Sequence, residues 1–193
     1  MNRINTLATL VFCLLIIGCR SSTSEYEQWV AEELDRGVHR DSLLLGYHFG
    51  MTRQDFYDHS WELNSRKIVM QGVSNRSVRQ EVDYLDYAAT RNFYPSFYND
   101  AIFLLPVRYA YSGWAPWNKE RWSDSLLVDL VAYYENEYEA DFRRLNHPDF
   151  KTKVHVAIEG NRSIVIKKKD DQYVNVIFTD LEAIRRMKNG END

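Results

Sequence analysis

The chain is poor in cysteine, and this scarcity excludes several kinds of site. Its 193 residues include two cysteines, Cys13 and Cys19. The sequence after Cys19 therefore cannot form a disulfide, supply a thiolate nucleophile or bind zinc through sulfur. Its stability must come from packing, for which 13 tyrosines, 9 phenylalanines and 5 tryptophans supply large apolar groups.

The chain also lacks an apolar run long enough to span a bilayer. The run over residues 10–17 falls short of the roughly 20 residues that a transmembrane helix needs. Arg3 precedes it, and a small residue, Gly18, follows it, which is typical of a secretory signal peptide. We therefore expect residues 1–18 to be a cleaved signal peptide.

Residues 16–19 (Ile-Ile-Gly-Cys) resemble the lipobox of bacterial lipoprotein signal peptides. The resemblance implies cleavage before Cys19, lipidation of its thiol and acylation of the new amine with chains such as palmitate. Two or three chains on one cysteine give a long-lived attachment, whereas a single chain binds a membrane only marginally. We expect a protein anchored in the bacterial cell envelope, at the outer membrane rather than the inner, with residues 19–24 as a polar tether. The alternative is an ordinary secretory signal that contains a cysteine by chance.

Excess basic charge and catalytic motifs are absent as well. The net charge is −4, with 24 basic and 28 acidic residues and no long basic block, which argues against nucleic-acid binding. There is no G-x-S-x-G, S-x-x-K, H-E-x-x-H or phosphate loop. Glu135 and Glu139 share a helix face and could bind a cation or do acid–base chemistry, but the solvated side of an amphipathic helix explains them better. The sequence predicts no enzyme activity, no cofactor and no metal site.

Proline and glycine are scarce too, at four and eight residues, so most of the chain can be regular structure. Ser24 is a candidate cap for a first helix over 25–36, and Thr52 for a second helix. We expect a strand over 43–49. Alternating apolar residues and a turn at 99–100 predict antiparallel strands over 67–111.

The second part of the chain repeats this order of elements. An apolar stripe at helical spacing predicts the longest helix over 124–143, capped by Ser123. Clean alternation over 154–158 and 164–166 predicts a hairpin. Thr179 begins a T-x-x-E capping box for a last short helix.

Together these elements favour an α+β fold in which helices pack on one face of a mostly antiparallel sheet. We expect residues 25–193 to form a single domain with two related halves, each a helix followed by strands. Residues 46–52 (Gly-Tyr-His-Phe-Gly-Met-Thr) resemble the opening of envelope lipoproteins of the BamE/SmpA type. That resemblance implies a helix-then-antiparallel-sheet layout, shared with the β-lactamase-inhibitor-protein fold. The chain as a whole resembles more the lipoproteins that abound in Bacteroides-like bacteria.

The loop over residues 112–122 is the one local concentration of candidate binding residues. It contains Trp114, Trp117 and Trp122, with Arg121 beside them. Exposed indoles stack on sugar rings or anchor a protein partner. The alternative is that the loop folds back and the indoles cover the end of the sheet. We expect a mixed case, with Trp122 buried beside the helix start and Trp114 or Trp117 more exposed.

Two functions are compatible with these features. The first is a non-catalytic, membrane-anchored envelope lipoprotein that binds another protein, as an assembly factor or inhibitor does. The second is a glycan-binding surface lipoprotein that uses the tryptophan loop. An enzyme of unrecognised type would need a pocket with converging carboxylates or histidines.

Overall fold

A computed structural model describes residues 24–72 and 77–190. The expected signal peptide, the expected lipidation site Cys19 and the expected tether up to residue 23 lie outside the described residues. Two short 3-10 turns accompany four helices and nine strands, whose bounds follow. The helices are α1 (Glu25–Asp35), α2 (Arg53–Ser65), α3 (Ser123–Tyr138) and α4 (Leu181–Asn189). The strands are β1 (Met70–Gln71), β2 (Val78–Val82), β3 (Ala89–Phe93), β4 (Ser96–Tyr98), β5 (Ala101–Tyr111), β6 (Arg143–Leu145), β7 (Val154–Glu159), β8 (Arg162–Lys168) and β9 (Val174–Asp180).

All nine strands belong to one antiparallel sheet, which confirms the α+β prediction. Its order is β1-β2-β3-β5-β9-β8-β7-β6, with β4 paired to the first part of β5. The order is symmetric about the central β5–β9 pair. The first half consists of α2 followed by β1–β5, and the second half of α3 followed by β6–β9. The two predicted helix-plus-strand halves are therefore present, joined through their last strands.

The helices are divided between the two faces of the sheet, which corrects the expectation that they share one face. On β8, Ile164 and Ile166 pack in the same core cluster as α2 and α3. Val165 between them packs instead with Trp29 of α1, and with the start of α4. Because side chains alternate along a strand, these are opposite faces. We call the face under α2 and α3 the front and the face under α1 and α4 the back.

The chain before α2 turns where a strand was expected. Residues Leu44–Gly46 form a 3-10 turn in which Leu45 has a left-handed φ of 57°. The turn is closed because the N–H of Leu43 donates to the carbonyl of Tyr47 at 2.8 Å. Thr52 does cap α2, since its hydroxyl accepts from the N–H of Asp55.

The bounds of the last two helices also differ from the sequence pattern. Helix α3 ends before 143, because Glu139 adopts a left-handed φ of 50°. Its cap position is Trp122, and the Ser123 hydroxyl is buried without a hydrogen-bond partner, so the predicted Ser123 cap is wrong. Likewise, β9 continues through Thr179, and the carboxylate of Asp180 caps α4 instead.

Candidate binding surfaces

The tryptophan loop presents one indole fully and ties the other two to the backbone. Trp117 is 85% exposed. The half-buried Trp114 donates from its indole N–H to the carbonyl of Asp171 at 3.2 Å. Trp122 is also half-buried and donates to the carbonyl of Ala115 at 3.1 Å. The expected exposure of Trp117 is confirmed, but Trp122 is half-buried like Trp114 and not buried as expected, because its indole reaches back to the loop backbone.

Arg121 holds this loop in place through contacts with its backbone and with a neighbouring aromatic ring. Its guanidinium donates to the carbonyl of Ser112 and lies 4.8 Å from the ring centroid of Tyr87. Lys119 lies over the ring of Trp122, at 4.6 Å from its centroid. Both basic groups are thus engaged with neighbouring aromatic rings, which fixes the loop that carries Trp117.

A second exposed aromatic surface lies along α2. Trp61 is 76% and Tyr57 is 44% exposed, although both belong to the aromatic side of the helix. They border a groove of about 370 Å³ between α2 and the outer strands, lined also by Asn64 and Met70. The buried contacts of α2 are made by Phe56 and Leu63. This helix therefore leaves apolar side chains at the surface of the first half.

A buried arginine, Arg91, links the sheet to α3 on the front face. It is 4% exposed, and its guanidinium donates to the hydroxyls of Tyr84 and Tyr109, each at 3.0 Å. Its Nε donates to the side-chain oxygen of Gln80 at 2.7 Å. The hydroxyl of Tyr109 in turn bonds that of Tyr134 at 2.8 Å. Burial raises the pKa of Tyr134 well above its ordinary value, so its hydroxyl stays protonated.

A polar cavity of about 430 Å³ lies beside the end of α3. The Glu159 carboxylate accepts from Arg40 at 2.7 Å and from Arg162 at 2.9 Å. Arg162 is 4% exposed, donates also to Ser42, and lies 4.6 Å from the ring centroid of Tyr138. Burial lowers the pKa of Arg162, and the Glu159 charge opposes that change. These groups bond one another and hold the segment before α2 against the second half.

The back of β2, β3 and β5 forms a surface that no described helix covers. Its residues alternate with the buried residues of the front face, and those with long side chains are half-buried or exposed. We call this surface the open face. Its members are Arg79, Glu81, Thr90, Asn92, Leu104, Pro106, Arg108 and Ala110.

One row of side chains crosses this face and continues over the central strands. Each member is the direct cross-strand partner of the next, from β2 through β3, β5 and β9 to β8. We call this row the basic ladder. Its members in spatial order are Arg79, Asn92, Arg108, Asn175 and Lys167. Cations and amides therefore alternate across five strands on one side of the sheet.

The ladder has few polar partners within the domain. Arg79 lies 3.6 Å from the carboxylate of Glu81, but its Nε is buried without a hydrogen bond, as is the side-chain oxygen of Asn92. Arg108 and Lys167 lie over aromatic rings, at 5.7 and 3.8 Å from the centroids. In the part of the chain that the structure describes, neither forms an ion pair with a carboxylate.

Comparison with known proteins gives no further guide, since no family model, curated protein or solved structure matches the chain. Within residues 24–72 and 77–190, no three histidine, cysteine or acidic side chains are placed to hold a metal ion. No helix among the described ones is long and apolar enough to cross a bilayer.

The ladder is the feature that sequence reasoning missed. Four of the five strands contribute a ladder residue that lies outside any run of basic residues. Only Lys167 of β8 belongs to such a run (167–169), so charge in the sequence does not mark the ladder. The structure shows alternation in β3, where buried Ala89, Arg91 and Phe93 alternate with half-buried Thr90 and Asn92, but the charge of Arg91 on the buried side hides that pattern in the sequence. A strand with polar residues on one side has one covered face and one open face.

Proposed function

We propose that this protein is a lipid-anchored, non-catalytic lipoprotein of the bacterial envelope that binds another protein through the open face. One observation carries the proposal. The sheet is covered on both sides in its second half, but the back of the first half carries half-buried polar side chains and no helix. Buried polar atoms without partners, such as Arg79 Nε and Asn92 Oδ1, are few in folded proteins and call for an explanation. A docked protein surface supplies partners for these atoms if Arg79 and Asn92 turn outward on binding.

The buried ionisable groups support the non-catalytic part of this proposal. Arg91 connects three strands to α3 through tyrosine hydroxyls, and Arg162 connects β8 to Ser42 and Glu159. Each is engaged in joining elements of the fold. Among the described residues, neither arginine lies beside an acidic or basic side chain that lacks another partner and could act with it in catalysis.

Lipidation at Cys19 would keep the open face close to the membrane. The first helix begins at Glu25, six residues after Cys19. An extended segment of that length reaches at most about 20 Å. The domain would then search for its partner in a thin layer next to the bilayer, where a membrane-bound partner is concentrated.

Site-specific crosslinking tests the proposal in intact cells. A photoactivatable phenylalanine analogue would replace Asn92 on the open face. The matched control replaces Arg144, which is exposed on β6 and pairs with front-facing residues. We expect a discrete adduct from position 92 and none from 144. Equal adducts from both positions, or none from either, would contradict the proposal.

Anchoring is tested separately by Cys19→Ala. We expect the variant to leave the membrane fraction and to lose the mass of the lipid. A variant that stays with membranes at unchanged mass would remove the lipid-anchor part of the proposal.

The exposure of Trp117 favours a second candidate, glycan binding through the tryptophan loop. An indole that is 85% exposed on a loop fixed by Arg121 can stack on a sugar ring. Trp117→Ala should leave the melting temperature unchanged and weaken retention on purified envelope polysaccharide or peptidoglycan. Unchanged retention would exclude this candidate.

A further inference from the structure

The basic ladder has a spacing that restricts what can bind it. Neighbouring strands lie about 4.8 Å apart, so the cations Arg79, Arg108 and Lys167 recur about every 9.6 Å across the sheet. Asn92 and Asn175 lie halfway between them, as the strand pairing requires. A ligand that pairs with every residue of the ladder must present polar groups about every 5 Å, and every second one of these groups must be an anion.

An α-helix satisfies this spacing and an extended strand does not. Residues seven apart in a helix are separated by about 10.5 Å along its axis, and residues three or four apart by about 4.5–6 Å. Carboxylates on one face of an extended strand recur about every 6.6 Å, so the second carboxylate would already lie about 3 Å short of the second cation of the ladder. The ladder therefore matches a helix that lies across the strands with acids at i, i+7 and i+14.

The chemistry of the residues in the basic ladder favours a protein over other anionic surfaces as the ligand. The guanidinium groups of Arg79 and Arg108 can each take a carboxylate through two parallel hydrogen bonds. The amides between them have both donors and acceptors, and Asn92 Oδ1 is an acceptor with no partner. A lipid phosphate accepts but does not donate, and the donors that some headgroups carry, such as the hydroxyls of phosphatidylglycerol, are not held at the spacing of the ladder. A helix with acids at i, i+7 and i+14 and with glutamine or serine at i+3 and i+10 can pair with both the cations and the amides of the ladder.

We propose that the partner of the open face is a protein that docks an acidic amphipathic helix across the basic ladder. This inference rests on the proposed function and specifies its partner. Carboxylates pair with Arg79, Arg108 and Lys167, and polar side chains of the same helix face bond Asn92 and Asn175. The contact is mainly electrostatic, so salt weakens it.

A pair of synthetic helical peptides tests this geometry. One carries glutamate at i, i+7 and i+14 with glutamine at i+3 and i+10. The other has the same composition with the glutamates spread around the helix. Binding to the full-length protein in detergent is measured by fluorescence anisotropy at low and at physiological salt. We expect the aligned peptide to bind about tenfold or more tightly than the scrambled one at low salt, with a smaller advantage at higher salt.

Charge reversal of single residues locates the site. Arg108→Glu should weaken binding of the aligned peptide about tenfold or more, with Arg108→Gln in between. Arg144→Glu makes the same charge change on the front face and should have no effect. Both positions are exposed, and thermal melting checks that each variant folds.

Three results would overturn the helix inference. The first is equal affinity for the two peptides, and the second is equal loss for Arg108→Glu and Arg144→Glu. The third is that vesicles with anionic phosphatidylglycerol bind as well as the aligned peptide and lose binding equally with Arg108→Glu, which makes the ladder a general anion surface. If crosslinking from position 92 persists in Arg108→Glu, the open face still binds a protein, and only the acidic helix is excluded.

Discussion

The two halves of the sheet have the same order of elements but different surroundings. In β8, five consecutive residues, 162–166, are buried, because α3 covers one side and α1 the other. In β3, buried and half-buried residues alternate, because only the front is covered. The comparison teaches that one layout can serve two purposes: the second half is packed on both faces of the sheet, and the first half is packed on one face and presents the other as a surface.

Helix α1 and the start of the segment after it clamp the β7–β8 turn of the second half, whereas the end of that segment bonds β5 of the first half through Gly50 and Ile102. The backbone N–H of Arg40 donates to Asn161 at 2.6 Å. The N–H of Gly160 donates to the carboxylate of Glu33 on α1 at 3.1 Å. Asn161 and Gly160 both lie at the β7–β8 turn, so this hairpin is held by α1 and the segment after it as well as by its neighbours in the sheet.

Truncating the centre of α3 should give the largest effect. Leu130 is fully buried between α3 and the sheet, so Leu130→Ala should lower the free energy of unfolding by about 2–5 kcal/mol. The control is Val128→Ala on the same helix, which is 68% exposed and should change stability by less than about 0.5 kcal/mol. Denaturant titration measures both. Equal small effects would show that the second half does not depend on α3.

Adding a methyl group at the clamped turn should have the next largest effect. A Cβ on Gly160 would lie 1.9 Å from the carbonyl oxygen of Val38, and its φ is +56°. Gly160→Ala should therefore cost more than the roughly 1–2 kcal/mol of the left-handed backbone alone. Gly37→Ala is the matched control, because its φ is +63° but nothing lies within 4 Å. If the two variants unfold at the same denaturant concentration, the clamp does not contribute.

Alkaline pH should test the polar link between α3 and the sheet. Burial raises the pKa of Tyr134, so above about pH 10 the unfolded chain releases this proton and the folded chain retains it. Stability present below pH 10 is then lost as pH rises, by about 1.4 kcal/mol per unit for one tyrosine. Tyr134→Phe should show a shallower loss between pH 9 and pH 11, although its stability at pH 8 is lower. Parallel curves for the two proteins would contradict this expectation.

The smallest effect is expected at the exposed side of α2. Trp61 is 76% exposed, so Trp61→Ala should change the free energy of unfolding by less than about 0.5 kcal/mol. Phe56→Ala on the same helix, where the side chain is 1% exposed, should cost about 3–5 kcal/mol. Thermal melts that show a large loss for Trp61→Ala would mean that the groove along α2 is packed.

Much of the fold follows from local patterns in the sequence. The turn at Asn99 and Asp100, both with positive φ, and the alternation in β7–β9 predicted the hairpins correctly. The fully buried positions Leu126, Leu130 and Tyr134 belong to the predicted stripe of α3. These signals succeed because each depends on neighbours within a few residues.

The remaining features depend on contacts between distant residues. The division of helices between two faces depends on which helix reaches Val165, and its side chain looks like any other core valine in the sequence. The ladder depends on register, because Arg79 and Arg108 are brought into line only by the pairing of both with Asn92. Of the predicted loop residues, the sequence identified Trp117 as a candidate but could not show that Trp114 and Trp122 bond the backbone.

The central β5–β9 pair has a consequence for how the chain folds. Its pairs, such as Leu104 with Thr179 and Tyr109 with Val174, join residues about 65–75 positions apart in the chain. Most other strand pairs join close neighbours, so we expect each half to form first and closure of the centre to come last. Until then, β5 and β9 would each have one unpaired edge. Two chains that meet at this stage can exchange halves, and domain swapping is the misfolding route that the symmetric order invites.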